Sequence, residues 1–197
     1  MINRLAISKT LPFPIVLKYT DVHSYVFTAV FISLAVATPW VFHQFYLAGP
    51  TFLPMHIFVL VAGLLFGWRA GLTVGLFTPL ASYAVSGMPG LMVLPQIIVE
   101  ISAYGLAAGV LRERFHLRAI WSLLGAMLAG RLALLLTVLI ISLGGEIYSP
   151  LGLEANPLAI LWAVIRQGWP GIIIQLVCIP LIIRLLAMLV NKSSQAE

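Results

Sequence analysis

Glu100 and Arg131 are the residues best placed to do chemistry, because each is a charge embedded in an apolar stretch. A charge at the centre of a bilayer costs roughly 2.5–3.5 kcal/mol on insertion scales, so one found there has a partner or a task. Two roles suit the pair. It can be an ion pair that locks two neighbouring helices, or Arg131 can meet an anionic or carbonyl group of a ligand while Glu100 orients it. The roles are compatible. Gln96, Glu100 and Tyr104 are spaced i, i+4, i+8 and share one helical face, and Gln167, Gly171 and Gln175 repeat the spacing. Two polar stripes on apolar helices point to an enclosed polar cavity, with interhelical hydrogen bonding as the alternative. Arg166, the third embedded charge, either snorkels to headgroups or caps that cavity. Trp40 or Trp169 could stack on a ring.

His43 and His56 flank one loop, with Gln44 and Met55 beside them. There is no H-x-x-x-H spacing and no cysteine cluster, so no metal site is expected. The histidines and Met88 read instead as loop contacts to a ligand. No G-x-S-x-G, H-E-x-x-H or G-x-x-x-x-G-K-[ST] motif occurs, so neither covalent catalysis nor ATP hydrolysis is expected, and no cofactor is implied. The single cysteine, Cys178, excludes an internal disulfide.

The elements that must position these residues follow from composition. Of 197 residues, 61% are hydrophobic and 9% charged. Soluble domains carry about 25% charge, so a soluble enzyme, a disordered chain and a nucleic-acid-binding module are excluded. The net charge of +5 is spread singly along the chain. The pattern predicts an all-α integral membrane protein, a single membrane domain over 1–197. Six transmembrane helices are expected at about 24–45, 53–66, 70–85, 91–111, 119–143 and 158–190, the last broken by Pro170 and Pro180. The residues before the first span hold Pro12, Pro14 and Lys18, unlike a cleavable signal peptide. Residues 11–17 could lie along the membrane interface.

Arg4, Lys9 and Lys18 precede the first span, Arg69 lies between the second and third, and Arg112, Arg114 and Arg118 between the fourth and fifth. Arg184 and Lys192 close the sixth. The other three loops hold no Lys or Arg, and the last carries only Glu146 and Glu154. The positive-inside rule then places both termini in the cytoplasm. No repeat is visible. Ala29, Ser33 and Ala37 form a small-x-x-x-small face suited to internal packing or to another membrane subunit, and Gly125 and Ala129 form a second. Gly63, Gly67, Gly71 and Gly75 would permit a tight hairpin.

The stretch Leu53-Pro54-Met55-His56-Ile57, with Gly63, Gly67, Gly75, Pro79, Ser82 and Ser86-Gly87-Met88-Pro89, resembles the substrate-binding S components of energy-coupling factor (ECF) vitamin transporters. Glu100-Ile101-Ser102-Ala103-Tyr104-Gly105 with Gly109, the Gly130-Arg131 pair, and Gly168 to Pro180 are similar to that family too. The resemblance runs from about Ala29 to Leu185. It implies a six-helix membrane protein, in a prokaryotic plasma membrane, that binds one vitamin or cofactor precursor under its first outer loop. It implies as partners a transmembrane coupling protein and two cytoplasmic ATPases, with the subunit toppling to deliver its ligand. The face formed by Ala29, Ser33 and Ala37 would dock the coupling protein, Ser33 replacing the family's usual alanine. The expected ligand contacts are His43, His56, Met88, Gln96, Glu100, Tyr104, Arg131, Gln167 and Gln175. Pantothenate and cobalamin are among the candidate substrates. A stand-alone ion-coupled carrier and an intramembrane enzyme using Glu100 and a histidine are the alternatives.

Overall fold

The computed structural model describes residues 22–44, 49–143 and 156–193, and the regular elements among them are helices. They are α1 (Val22–Gln44), α2 (Gly49–Phe52), α3 (Pro54–Phe66), α4 (Trp68–Ser86), α5 (Leu94–Glu113), α6 (Ala119–Leu143) and α7 (Pro157–Ser193). Six of these helices lie near the expected positions with small shifts of boundary, and the helix at Ala119–Leu143 falls where it was expected. The one-turn helix α2 is an addition. The N-terminal residues through 21, including Arg4, Lys9, Lys18 and the stretch 11–17, lie outside the described residues, as do Glu146 and Glu154.

Among the described residues, three helices are long and apolar enough to cross a membrane: α5, α6 and residues Pro157–Leu185 of α7. They correspond to three of the six expected spans. Within α1, Tyr25–Val41 forms a shorter apolar helix, and α3 is another. At 1.5 Å per residue a 13-residue helix such as α3 reaches only about 20 Å, less than the hydrocarbon thickness. Large apolar side chains such as Leu128, Leu136, Ile140 and Val177 stand exposed on the outside of the bundle, the surface a lipid solvent favours.

α7 corrects one expectation. It is one continuous helix with Pro170 and Pro180 inside it, not a broken one. Each proline removes one backbone hydrogen bond, and packed membrane helices tolerate that loss by local adjustment.

α3 is the central element. Every residue from Val59 to Phe66 is buried, and the helix touches α1, α4, α5, α6 and α7. A helix that is apolar all round can occupy only such a position. Its C-terminal end is closed by Phe66, with Phe27 stacked on it and Phe31 meeting it edge-on, each at 5.4 Å between ring centroids.

α3, α4 and α5 meet through glycines. A Cβ at Gly71 or at Gly105 would run into the other residue's carbonyl group, and one at Gly63 would also strike the Gly105 carbonyl. A Cβ at Gly75 would lie 2.8 Å from the Ile101 carbonyl oxygen, and one at Gly109 would strike the Trp68 backbone. The glycine repeat expected to serve a hairpin therefore serves a three-helix contact. Gly67 alone makes the hairpin turn, at φ 88°, a conformation open to glycine and strained for other residues.

Glu113 completes this unit. Its Oε2 accepts a hydrogen bond of 3.2 Å from the Trp68 backbone N–H, satisfying one of the free donors at the start of α4. Glu113→Ala is expected to lower stability by about 1 kcal/mol, read as a fall in the melting temperature in detergent. An unchanged melting curve would show that the cap contributes nothing.

Candidate functional site

The bundle holds a partly open cavity of about 360 Å³ at the end opposite Arg69, Arg112, Arg114 and Arg118. Leu53 to His56, at the start of α3, form one side. Ser82 of α4, the loop residues Met88, Pro89 and Gly90, and Val93, Ile97, Glu100 and Ile101 form the next. Arg131 and Leu134 of α6, Val164 and Gln167 of α7, and Pro39 of α1 close the circle. The walls are mostly apolar with a few polar groups, the usual make-up of a small-molecule site.

The charged pair sits in the wall. Arg131 Nη1 donates to Glu100 Oε1 at 2.7 Å, and both side chains are buried. The pair is thus the lock between two helices that the sequence allowed. It leaves Arg131 Nε and Nη2 without a hydrogen-bond partner among the described residues. These two donors form one edge of the guanidinium fork, which matches a carboxylate. Gly168 packs close beside them: an added Cβ there would lie 3.5 Å from Nη2 and 3.0 Å from the Leu53 side chain.

His56 is buried, and both its ring nitrogens lack a hydrogen-bond partner among the described residues. Its ring meets that of Tyr104 edge-on at 5.1 Å. Leu53, just before it, adopts the left-handed conformation at φ 50°, which costs a non-glycine residue roughly 1–2 kcal/mol. Its carbonyl is held from two directions, by the His56 backbone N–H at 3.1 Å and by Gln175 Nε2 at 3.3 Å.

Of the expected contacts, the structure brings His56, Met88, Glu100, Arg131 and Gln167 together around the cavity. Gln96, Tyr104 and Gln175 are buried but do not line it. Tyr104 packs under His56 and across Gly130, and Gln175 holds the Leu53 carbonyl. The α7 stripe departs from the cavity below Gln167, because Gly171 packs against the Phe52 backbone of α2. The His43 side chain lies outside the described residues. Arg166 does not cap the cavity, and Trp40 and Trp169 are exposed on the exterior. Ser82 and the apolar lining residues went unnoticed as contacts, since nothing separates them by type from the rest of so apolar a chain.

A family model for the substrate-specific component of ECF transporters matches residues 23–183. The chain belongs to this family. No curated protein and no solved structure matches it. The ECF substrate-specific component is a membrane transport subunit, not a member of an enzyme family, and such components work with the other ECF transporter modules. In this ECF component the two sequence elements that carried the resemblance, Pro54-Met55-His56 and Gly87-Met88-Pro89, supply Pro54, Met55, His56, Met88 and Pro89 to the cavity wall. Ala29, Ser33 and Ala37 are exposed along one face of α1.

Proposed function

We propose that this protein is the high-affinity substrate-binding subunit of an ECF importer and that the cavity beside Glu100 and Arg131 holds the substrate. The carrying observation is the unpartnered Nε–Nη2 edge of a buried arginine in the wall of an apolar cavity. A small molecule with an apolar body and one carboxylate or carbonyl group complements it. A volume of about 360 Å³ favours a ligand of the size of pantothenate over cobalamin, a corrin several times larger. The substrate class is thus a small vitamin or cofactor precursor bearing an acceptor group.

In this reading all six helices cross a prokaryotic plasma membrane, with both termini cytoplasmic and residues 1–197 forming one domain. The distribution of basic residues supports it. The cavity opens outward, and the exposed face of Ala29, Ser33 and Ala37 meets the coupling protein, which joins two cytoplasmic ATPases. The protein carries out no covalent step, and the ATPases supply the energy.

Native mass spectrometry of protein purified in mild detergent should reveal a co-purified small molecule, and titration should then give its affinity. Losing charge-assisted hydrogen bonds should weaken binding by about 10- to 100-fold in a Glu100→Leu, Arg131→Leu double variant. Unchanged affinity in that variant, or uptake that persists without an ATPase partner, would overturn the assignment.

A further inference from the structure

The outer face of α7 carries a second feature, which shares Gln167 with the cavity wall. Trp162 and Arg166 are one turn apart on the exposed side of α7, and Trp169 follows within the next turn. The two indoles are 65% and 58% exposed, and Arg166 is exposed as well. Trp162, Ala163, Arg166 and Gln167 line a shallow surface depression. Along the same face, towards the other end, Ile173, Val177 and Leu181 stand exposed. Among the described residues of the cavity half of the bundle, Arg166 is the one exposed charged side chain.

Three physical facts fix what such a face binds. Helical side chains lean towards the helix N-terminus. The N-terminus of α7 lies at the cavity end of the bundle, so Arg166 leans towards the headgroups of that leaflet and lets its stem lie along apolar surface. Tryptophan favours the same interfacial depth and brings an indole N–H donor. Guanidinium pairs strongly with phosphate. The stripe as a whole, cationic and aromatic at the cavity end and aliphatic below, has the polarity of a phospholipid standing beside it.

We infer that the Trp162–Arg166 groove is a binding site for the phosphate of an anionic phospholipid, whose acyl chain runs along Ile173, Val177 and Leu181. The Arg166 guanidinium holds the phosphate, Trp162 and Trp169 flank it, and Ala163 leaves space for it.

The test uses the full chain in nanodiscs containing both phosphatidylglycerol and phosphatidylcholine, with retained lipid counted by native mass spectrometry. Wild-type protein should retain phosphatidylglycerol in preference to phosphatidylcholine. Arg166→Gln should lower that retention about tenfold, the usual effect of losing one charge-assisted hydrogen bond. Arg166→Lys should keep most of it, and Arg184→Gln, at the opposite end of α7, should leave it unchanged. Melting curves of each variant report whether it is folded. Equal retention of the two lipids by wild type would overturn the proposal. So would undiminished retention in folded Arg166→Gln, and so would preferential capture at Arg166 of an acidic membrane protein in place of lipid.

Discussion

Glu100→Ala should lower the stability of the bundle by about 3–5 kcal/mol, among the largest effects available to any single substitution in this chain. The reason is asymmetry. With Glu100 present, Arg131 Nη1 has an anionic partner at 2.7 Å in a buried setting. Without it, a guanidinium already lacking partners on Nε and Nη2 is left with no anion beside it. Replacing both residues by leucine removes the stranded charge along with the pair, and buried ion pairs so replaced are often neutral or more stable. Glu100→Leu with Arg131→Leu should therefore melt close to wild type, whereas Glu100→Ala melts far below it. Glu100→Gln, which keeps an acceptor and loses the charge, should fall between. A Glu100→Ala protein as stable as wild type would show that the pair does not lock α5 to α6. The recovery of the double variant also makes its ligand affinity interpretable, because loss of binding could then not be ascribed to unfolding.

Gly105→Ala is the second large effect. One added methyl would meet the Gly71 carbonyl, a backbone group that cannot rotate away, and the Val59 side chain at 2.9 Å. Overpacking costs about 1–3 kcal/mol, and a rigid obstacle places this site at about 3 kcal/mol. Gly90→Ala provides the contrast. It faces open space, with no atom within 4 Å of the added carbon, so its stability should change by less than about 0.5 kcal/mol. Thermal unfolding of the two variants side by side in the same detergent decides the matter. Equal melting temperatures would mean that α4 and α5 can separate at their crossing without loss.

The bundle was legible where composition or charge spoke strongly. Ala119–Leu143 is a long apolar run between basic and glycine-rich flanks, and it forms one helix of that length. Glu100 and Arg131 stood out because buried charges are rare, and they meet. The polar stripes misled over part of their length for a geometric reason. Eight residues of helix rise about 12 Å, enough for one face to pass from a cavity into a packed interface. Gln167 therefore lines the cavity while Gln175 holds the Leu53 carbonyl. Gly105 and Gly109, four residues apart, were visible as a motif, but their partners on α3 and α4 are distant in sequence and no local pattern names them. Leucine is not a residue that announces a left-handed conformation, so the turn at Leu53 was not legible. The prolines of α7 suggested breaks because their cost is local, whereas the packing that absorbs it comes from other helices.

The glycine crossing has a mechanical consequence for the cavity. Where α3, α4 and α5 meet, backbone touches backbone, and the side chains beside the contact, Val59 and Ala108, are short and have little freedom to yield. Separating these three helices would break direct backbone contact, so they form the stiffer part of the bundle. The wall formed by α7 meets this unit through side chains, with Gln175 on the Leu53 carbonyl and the Leu53 side chain against Gly168, and these can adjust. The cavity thus has a hard side and a soft side, and any change of its shape is taken up on the soft one, next to Gln167.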